Sequence, residues 1–325
     1  MKCLLIFLTA VLAYGQDMQD RTFRFQSPAT DQDFQDLSVA ALTMSGLKAR
    51  TVDVALRELS ISGTSEEVRV TEWVIAELDR PAAATPPPAS TVLTLETKEP
   101  DNTIRVFYPA QISSNQDLME VVTALRTITD VRFVGIYTSH RAVVVRGSRD
   151  QLDLAEWLLA EVNRDSPQES YVLPKSWPDF QRGENQVRVF RFTRAKDVQQ
   201  FNEMQTMIRT ITDTRRVYPY LSKRAIVLRG TEEQVDMTRW LLAQTDKDLP
   251  SAAKATSGDY TTMTGDVVRL FYYSGGMSLP AFNEAQTGMR LATGIRRVFP
   301  YASGRMIAAR GTLAQIAQAA ALAAQ

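Results

Sequence analysis

Histidine and cysteine are almost missing from this 325-residue chain, which has one of each. Cys3 lies in an N-terminal apolar run that reads as a leader, so the exported chain keeps no cysteine. That excludes disulfide bonds and thiolate metal sites. His140 sits in the turn sequence TSHR. A lone imidazole with no orienting partner is a poor catalyst, and it reads as an exposed turn residue. No His/Asp/Glu cluster has metal-ligand spacing. The G-x-S-x-G elbow, the P-loop and the dinucleotide fingerprint are all lacking. Gly275 and Gly276 could cradle an anion, but a flexible loop explains them better. The expectation is a protein that is not an enzyme, with no catalytic residue, cofactor or metal ligand to assign. Basic and acidic side chains balance, 37 against 37, which argues against wholesale nucleic-acid binding.

The chain begins MKCLLIFLTAVLAYG. Lys2 is a short basic region, Cys3–Ala13 an apolar core, and Ala13 and Gly15 stand at the small-residue positions of a cleavage site. Residues 1–15 therefore read as a secretory signal peptide, too short for a good membrane span. An uncleaved anchor is the alternative. A lipid-accepting cysteine should follow the apolar core, whereas Cys3 precedes it. No later apolar run is long enough to cross a bilayer, so no span is expected after cleavage. The expected location is outside the cytoplasm, and the periplasm if the source is a Gram-negative bacterium.

Internal repetition dominates the remainder. The pentapeptide RTITD occurs at Arg126–Asp130 and again at Arg209–Asp213. Phe23, Phe107, Phe190 and Phe271 each end a strand-like run, and Gly63, Gly147, Gly230 and Gly311 each follow 40 residues later. Trp73, Trp157 and Trp240 stand ten residues further on, with Ala321 in the fourth copy. Equal offsets mean that insertions fall between units, not inside them. The units are residues 21–80, 104–164, 187–247 and 268–325. Between them lie linkers at 81–103, 165–186 and 248–267. The first linker contains PAAATPPPAS, a Pro-rich extended stretch that predicts a loosely tethered first unit.

Each unit reads as β-α-β-β-α. VRVFRF alternates and is rich in β-formers, hence a strand. Phe201, Met204, Ile208 and Ile211 then share one helical face, as do Leu118, Val121, Leu125 and Ile128. RRVYPY and RRVFPY lead through LSKR and ASGR into AIVLRG and MIAARG, a hairpin pattern. Pro219 and Pro300 lack a ladder donor and belong near a strand end or on an edge. Thr64…Glu67, Ser148…Gln151, Thr231…Gln234 and Thr312…Gln315 fit the capping box that opens a second helix. The tryptophans on that helix are expected to fill the helix–sheet core. RTITD covers the last turn of the first helix. Its Asp aligns with Gly46 and Gly294, as befits a left-handed terminator. Units this small are individually marginal and should lean on one another or on partners.

The third copy resembles the N-terminal periplasmic modules of bacterial secretins, the NolW-like or secretin N repeats. Ala225–Thr231 and Leu241–Asp246 carry the match, and the pattern extends over all four units. The resemblance implies a KH-like β-α-β-β-α fold, an envelope location, and ring-building or docking contacts. A secretin continues into a long Gly-rich channel domain, whereas this sequence stops at Gln325. The expectation is therefore an exported scaffold or docking accessory of a secretion or pilus system. Its expected partners are envelope proteins and other copies of itself. RNA binding is not expected: KH modules clamp the backbone with a G-x-x-G loop, and the chain has no G-x-x-G.

Arginines mark a candidate interaction surface. Arg57, Arg141, Arg224 and Arg305 recur at one turn-to-strand position, and Arg146, Arg229 and Arg310 precede the glycine in three units. They read either as charges that blunt an edge strand or as a basic stripe for a partner. An anionic envelope polymer bound by units three and four is the alternative function. Charge is lopsided: unit one has 7 basic and 10 acidic residues, unit four 6 and 1. That asymmetry predicts head-to-tail contacts between copies.

Overall fold

The computed structural model describes residues 18–80, 91–97, 99–109, 112–164, 170–178, 180–192, 197–245, 256–273 and 277–324. The leader, the Pro-rich core of the first linker and Gly275–Gly276 lie outside these residues.

Module 1 runs β1 (Met18–Arg24), α1 (Asp31–Ser45), β2 (Ala49–Asp53), β3 (Glu58–Thr64) and α2 (Ser65–Leu78). Module 2 opens with an extra short strand. It runs β4 (Val92–Thr94), β5 (Thr103–Phe107), α3 (Asn115–Thr129), β6 (Phe133–Tyr137), β7 (Ala142–Gly147) and α4 (Arg149–Glu161). Module 3 runs β8 (Tyr171–Val172), β9 (Gln186–Arg191), α5 (Val198–Thr212), β10 (Arg216–Tyr220), β11 (Ala225–Gly230) and α6 (Glu232–Thr245). Module 4 runs β12 (Tyr260–Thr261), β13 (Val267–Tyr272), α7 (Leu279–Thr293), β14 (Arg297–Tyr301), β15 (Met306–Gly311) and α8 (Leu313–Ala323). The result is an α+β chain of four small antiparallel sheets. The sheet orders are β1-β3-β2, β4-β5-β7-β6, β8-β9-β11-β10 and β12-β13-β15-β14. The leading strands β4, β8 and β12 fall inside segments that the sequence assigns to linkers. They are two or three residues long, too short to carry an alternation.

Local chemistry sets the boundaries. The hydroxyls of Thr64, Ser148, Thr231 and Thr312 accept from the N3 amides, and the Glu67, Gln151, Gln234 and Gln315 side chains accept from the cap amides. The first helices end in the left-handed region at Gly46, Asp130, Asp213 and Gly294. Pro219 and Pro300 lie on β10 and β14, the outer strands of their sheets, where a missing donor costs no ladder bond.

The modules stack. The first helix of each packs on the sheet of the next: α1 on β6, α3 on β10 and α5 on β14. Each of the last three sheets therefore has both faces covered. Val143 and Val145 of β7 face the helices of module 2, while Ala142 and Val144 join the core of module 1. Strands covered on both faces read as continuous apolar runs, as AVVVRG and AIVLRG do. The loosely tethered first unit is corrected here. Gly135 of β6 lies so close under α1 that an added Cβ would stand 2.9 Å from the Ala40 Cα.

Candidate interaction surface

The seams between modules repeat one set of contacts. Arg146 donates to the Met44 carbonyl (2.7 Å), Arg229 to that of Ile128 (2.8 Å) and Arg310 to that of Ile211 (3.2 Å). These carbonyls occupy the same place near the C-terminal ends of α1, α3 and α5, where the helix dipole favours a cation. The terminating aspartates strengthen two of the seams. Asp130 accepts Arg229 (2.7 Å) and a two-pronged contact from Arg216 (both 3.0 Å). Asp213 pairs with Arg297 (2.7 Å) and lies 3.7 Å from Arg310. Paired planar groups of this kind fix geometry as well as charge.

Arg229 is 1% exposed and stacks over Trp177 at 5.0 Å. Burial pushes its pKa down, and Asp130 opposes that shift. For Arg297, the hydrogen bond to Asp213 pushes the pKa up.

A second recurrent contact joins the hairpin turns of modules 2, 3 and 4 to an acid on the first helix of the module before. Thr138 and Ser139 donate to Asp36 and Asp33. The Ser222 amide and hydroxyl reach Glu120 at 3.0 and 2.9 Å, and the Ser303 amide reaches Glu203 at 3.0 Å. Burial works to raise the Asp33 pKa, but bonds from Ser139 and Thr30 outweigh it and leave it lowered. Asp117 is also lowered, with burial opposed by Ser113, Ser114 and Ser222. Tyr137, Tyr220 and Tyr301 complete the set, all buried at the ends of β6, β10 and β14. Burial raises the Tyr137 pKa to about 12.

The seven arginines singled out in the sequence thus divide into two groups. Arg146, Arg229 and Arg310 point into seams, which corrects their assignment to an outward stripe. Arg57, Arg141, Arg224 and Arg305 occupy the left-handed region at the last position of each hairpin turn. Arg57 donates to the Pro28 carbonyl, and Arg141 to that of Ile112 at 2.6 Å, pinning the loop before the first helix. Arg141, Arg224 and Arg305 are exposed, and Arg57 is half-buried.

One other reading changes and two are extended. His140 is half-buried, its ring 4.5 Å from that of Tyr137. Burial lowers its pKa, while Asp33 and Asp79 of module 1 work to raise it. The tryptophans pack half-buried against the cores, as expected, and two of them also reach a seam: Trp157 stacks on Tyr171 of β8 (5.3 Å) and Trp240 on Tyr260 of β12 (5.9 Å). The Asp of RTITD, read as copied scaffold, is also a contact residue. Sequence reasoning missed the acids Asp36, Glu120 and Glu203, although they recur in register with the phenylalanines.

Module 1 lacks the set. Asp20, Thr22, Glu58, Ser60 and Ser62 stand where module 2 has Ile104, Val106, Ala142, Val144 and Arg146. Thr22 and Ser60 bond across the ladder (2.8 Å), and Arg50 pairs with Asp20 (2.5 Å). A polar outer face on a terminal unit is how repeat arrays stay soluble at their ends.

Among the described residues, no group of three or more His, Cys, Asp or Glu could hold a metal ion. No helix among them is long and apolar enough to cross a membrane.

The architecture defines a tandem α+β repeat protein. No protein-family model and no curated protein matches its sequence. Among solved structures the chain is similar to Aeromonas hydrophila ExeD, with 12% identity and a TM-score of 0.16 over 79% of this chain. The chain spans 44% of that one's length. It is similar also to XcpQN012, with 12% identity and a TM-score of 0.21, covering 71% of this chain and all of that one. A third, aspartate kinase from Synechocystis, has 13% identity and a TM-score of 0.18, covering 95% of this chain and 55% of that one. Superpositions this slight carry no argument about function.

Proposed function

We propose that this chain is an exported, non-enzymatic repeat protein that works through protein–protein contacts in the cell envelope, as a docking or ring accessory of a secretion or pilus system. One observation carries the reading: the same helix-on-sheet contact is made three times, from recurrent arginines, acids and hairpin turns. That is a surface chemistry for recognising modules of this type. The secretin-like pattern of Ala225–Thr231 and Leu241–Asp246 supports the envelope setting. The alternative, an anionic polymer bound along the arginines, is less supported, because Arg146, Arg229 and Arg310 are engaged in seams.

Deleting the gene and measuring protein export and pilus assembly tests the reading. Loss of either process, restored by the full chain, is expected. Unchanged export and assembly would overturn it.

A further inference from the structure

Module 4 presents to solvent the helix face that modules 1 to 3 bury. Ala40, Ala124 and Met207 are buried under the following sheet, and their counterpart Gly288 on α7 is exposed. Met44, Ile128 and Ile211 are buried, and their counterpart Ala292 is exposed. Thr43, Thr127 and Thr210 are half-buried beside the seams, whereas Leu291 at that position is 81% exposed. Glu284, in register with the turn-binding Asp36, Glu120 and Glu203, is also exposed. Beside these residues lies a groove of ≈ 520 Å³ lined by Tyr273, Met277, Ala285, Gly288, Ala292 and Leu322. An apolar strip rimmed by a carboxylate differs from the polar finish of the module 1 sheet, and it has the character of an interface.

We infer that α7 is a docking site for the apolar face of an antiparallel sheet that is not one of those of modules 1 to 4, with a Ser or Thr hairpin turn reaching Glu284. The contact continues the series α1 on β6, α3 on β10 and α5 on β14. A second copy does not fit, since its module 1 face is polar and the sheets of modules 2 to 4 are already covered. Two local differences sharpen the partner. Gln318 donates to the Ala292 carbonyl at 3.0 Å, filling the place that an arginine takes in the other seams, so the partner needs no arginine there. Ala321 replaces the seam tryptophan, so the partner sheet needs no leading strand with an aromatic. The inference rests on the scaffold reading for the existence of a partner, but the face stands on geometry alone.

The test builds a known sheet face into the full chain. Asp20→Ile, Thr22→Val, Glu58→Ala, Ser60→Val and Ser62→Arg give module 1 the outer face of module 2. Light scattering should find the native chain monomeric and the rebuilt chain assembling with concentration. Adding Glu284→Lys and Gly288→Arg should return it to monomer. A folded rebuilt chain that stays monomeric overturns the proposal, as does assembly indifferent to the α7 changes. A native chain that associates through α7 makes the occupant a second copy and also overturns it.

If the rebuilt chain does not fold, a second variant serves. Residues 91–324 are repeated after residue 324, in a Cys3→Ser chain carrying Leu291→Cys. Maleimide labelling of that cysteine should slow at least about tenfold relative to the unextended chain, as expected for a site newly packed under a sheet. Unchanged labelling overturns the proposal. Failure in either assay leaves the scaffold reading standing, because that reading is tested by gene deletion.

Discussion

The sheets of module 1 and module 2 share a three-stranded core and a hairpin, to which module 2 adds β4, yet their outer faces are opposites. β3 of module 1 alternates buried and half-buried residues, ELSISGT, whereas β7 of module 2 is buried almost throughout, AVVVRG. The difference is a matter of neighbours. β7 has α1 over its second face, and β3 has solvent. The same backbone is thus finished as a cap or as a joint by five side chains. The arginines follow the same logic: Arg146, Arg229 and Arg310 occur where a preceding helix end is available, and Ser62 stands where none is.

The comparison can be broken most severely at the middle seam. Asp130→Asn keeps a residue that tolerates the left-handed region but removes the charge opposite buried Arg229. It should cost about 3 kcal/mol in denaturant unfolding, the low end for stripping a buried ion of its partner. Gly135→Val should cost about 2 kcal/mol by overpacking α1 against β6, and it should open the first seam to hydrogen exchange. Asp213→Asn, at a residue whose side chain is 50% exposed, should cost only about 1 kcal/mol.

Acid should loosen the first seam through Asp33. Its folded pKa lies below the ordinary value of 3.8. Its contribution is therefore fully present above that value and is lost as pH falls through the folded pKa. The stability of Asp33→Asn, followed down from neutral pH, should fall less steeply over this acid range than that of the native chain. The smallest effect belongs to the cap: Ser62→Ala should change stability by less than about 0.5 kcal/mol. A large loss there would mean that the outer face of module 1 is not free.

Much of the module was legible in the sequence, because its signals are local. The capping boxes, the αL terminators at Gly46 and Asp130, and the edge prolines are each fixed by a few adjacent residues. The seams were less legible, because an arginine beside a strand looks the same whether it meets solvent or a helix end. The seam contact of Trp157 was not legible because its partner, Tyr171, belongs to a strand of two residues in an apparent linker. AVVVRG and AIVLRG are apolar without alternation, which already requires cover on both faces, while ELSISGT alternates.

The central claim is that the recurrent arginines bind the ends of preceding helices, and a double-mutant cycle tests it most directly. Asp130→Asn, Arg229→Met and the pair would be compared by equilibrium unfolding of the full chain. A clamp predicts a coupling of about 1.5 kcal/mol or more between the two positions, in contrast to the near-additivity of independent sites. Effects that add to within about 0.5 kcal/mol would mean that the two residues do not hold modules 2 and 3 together.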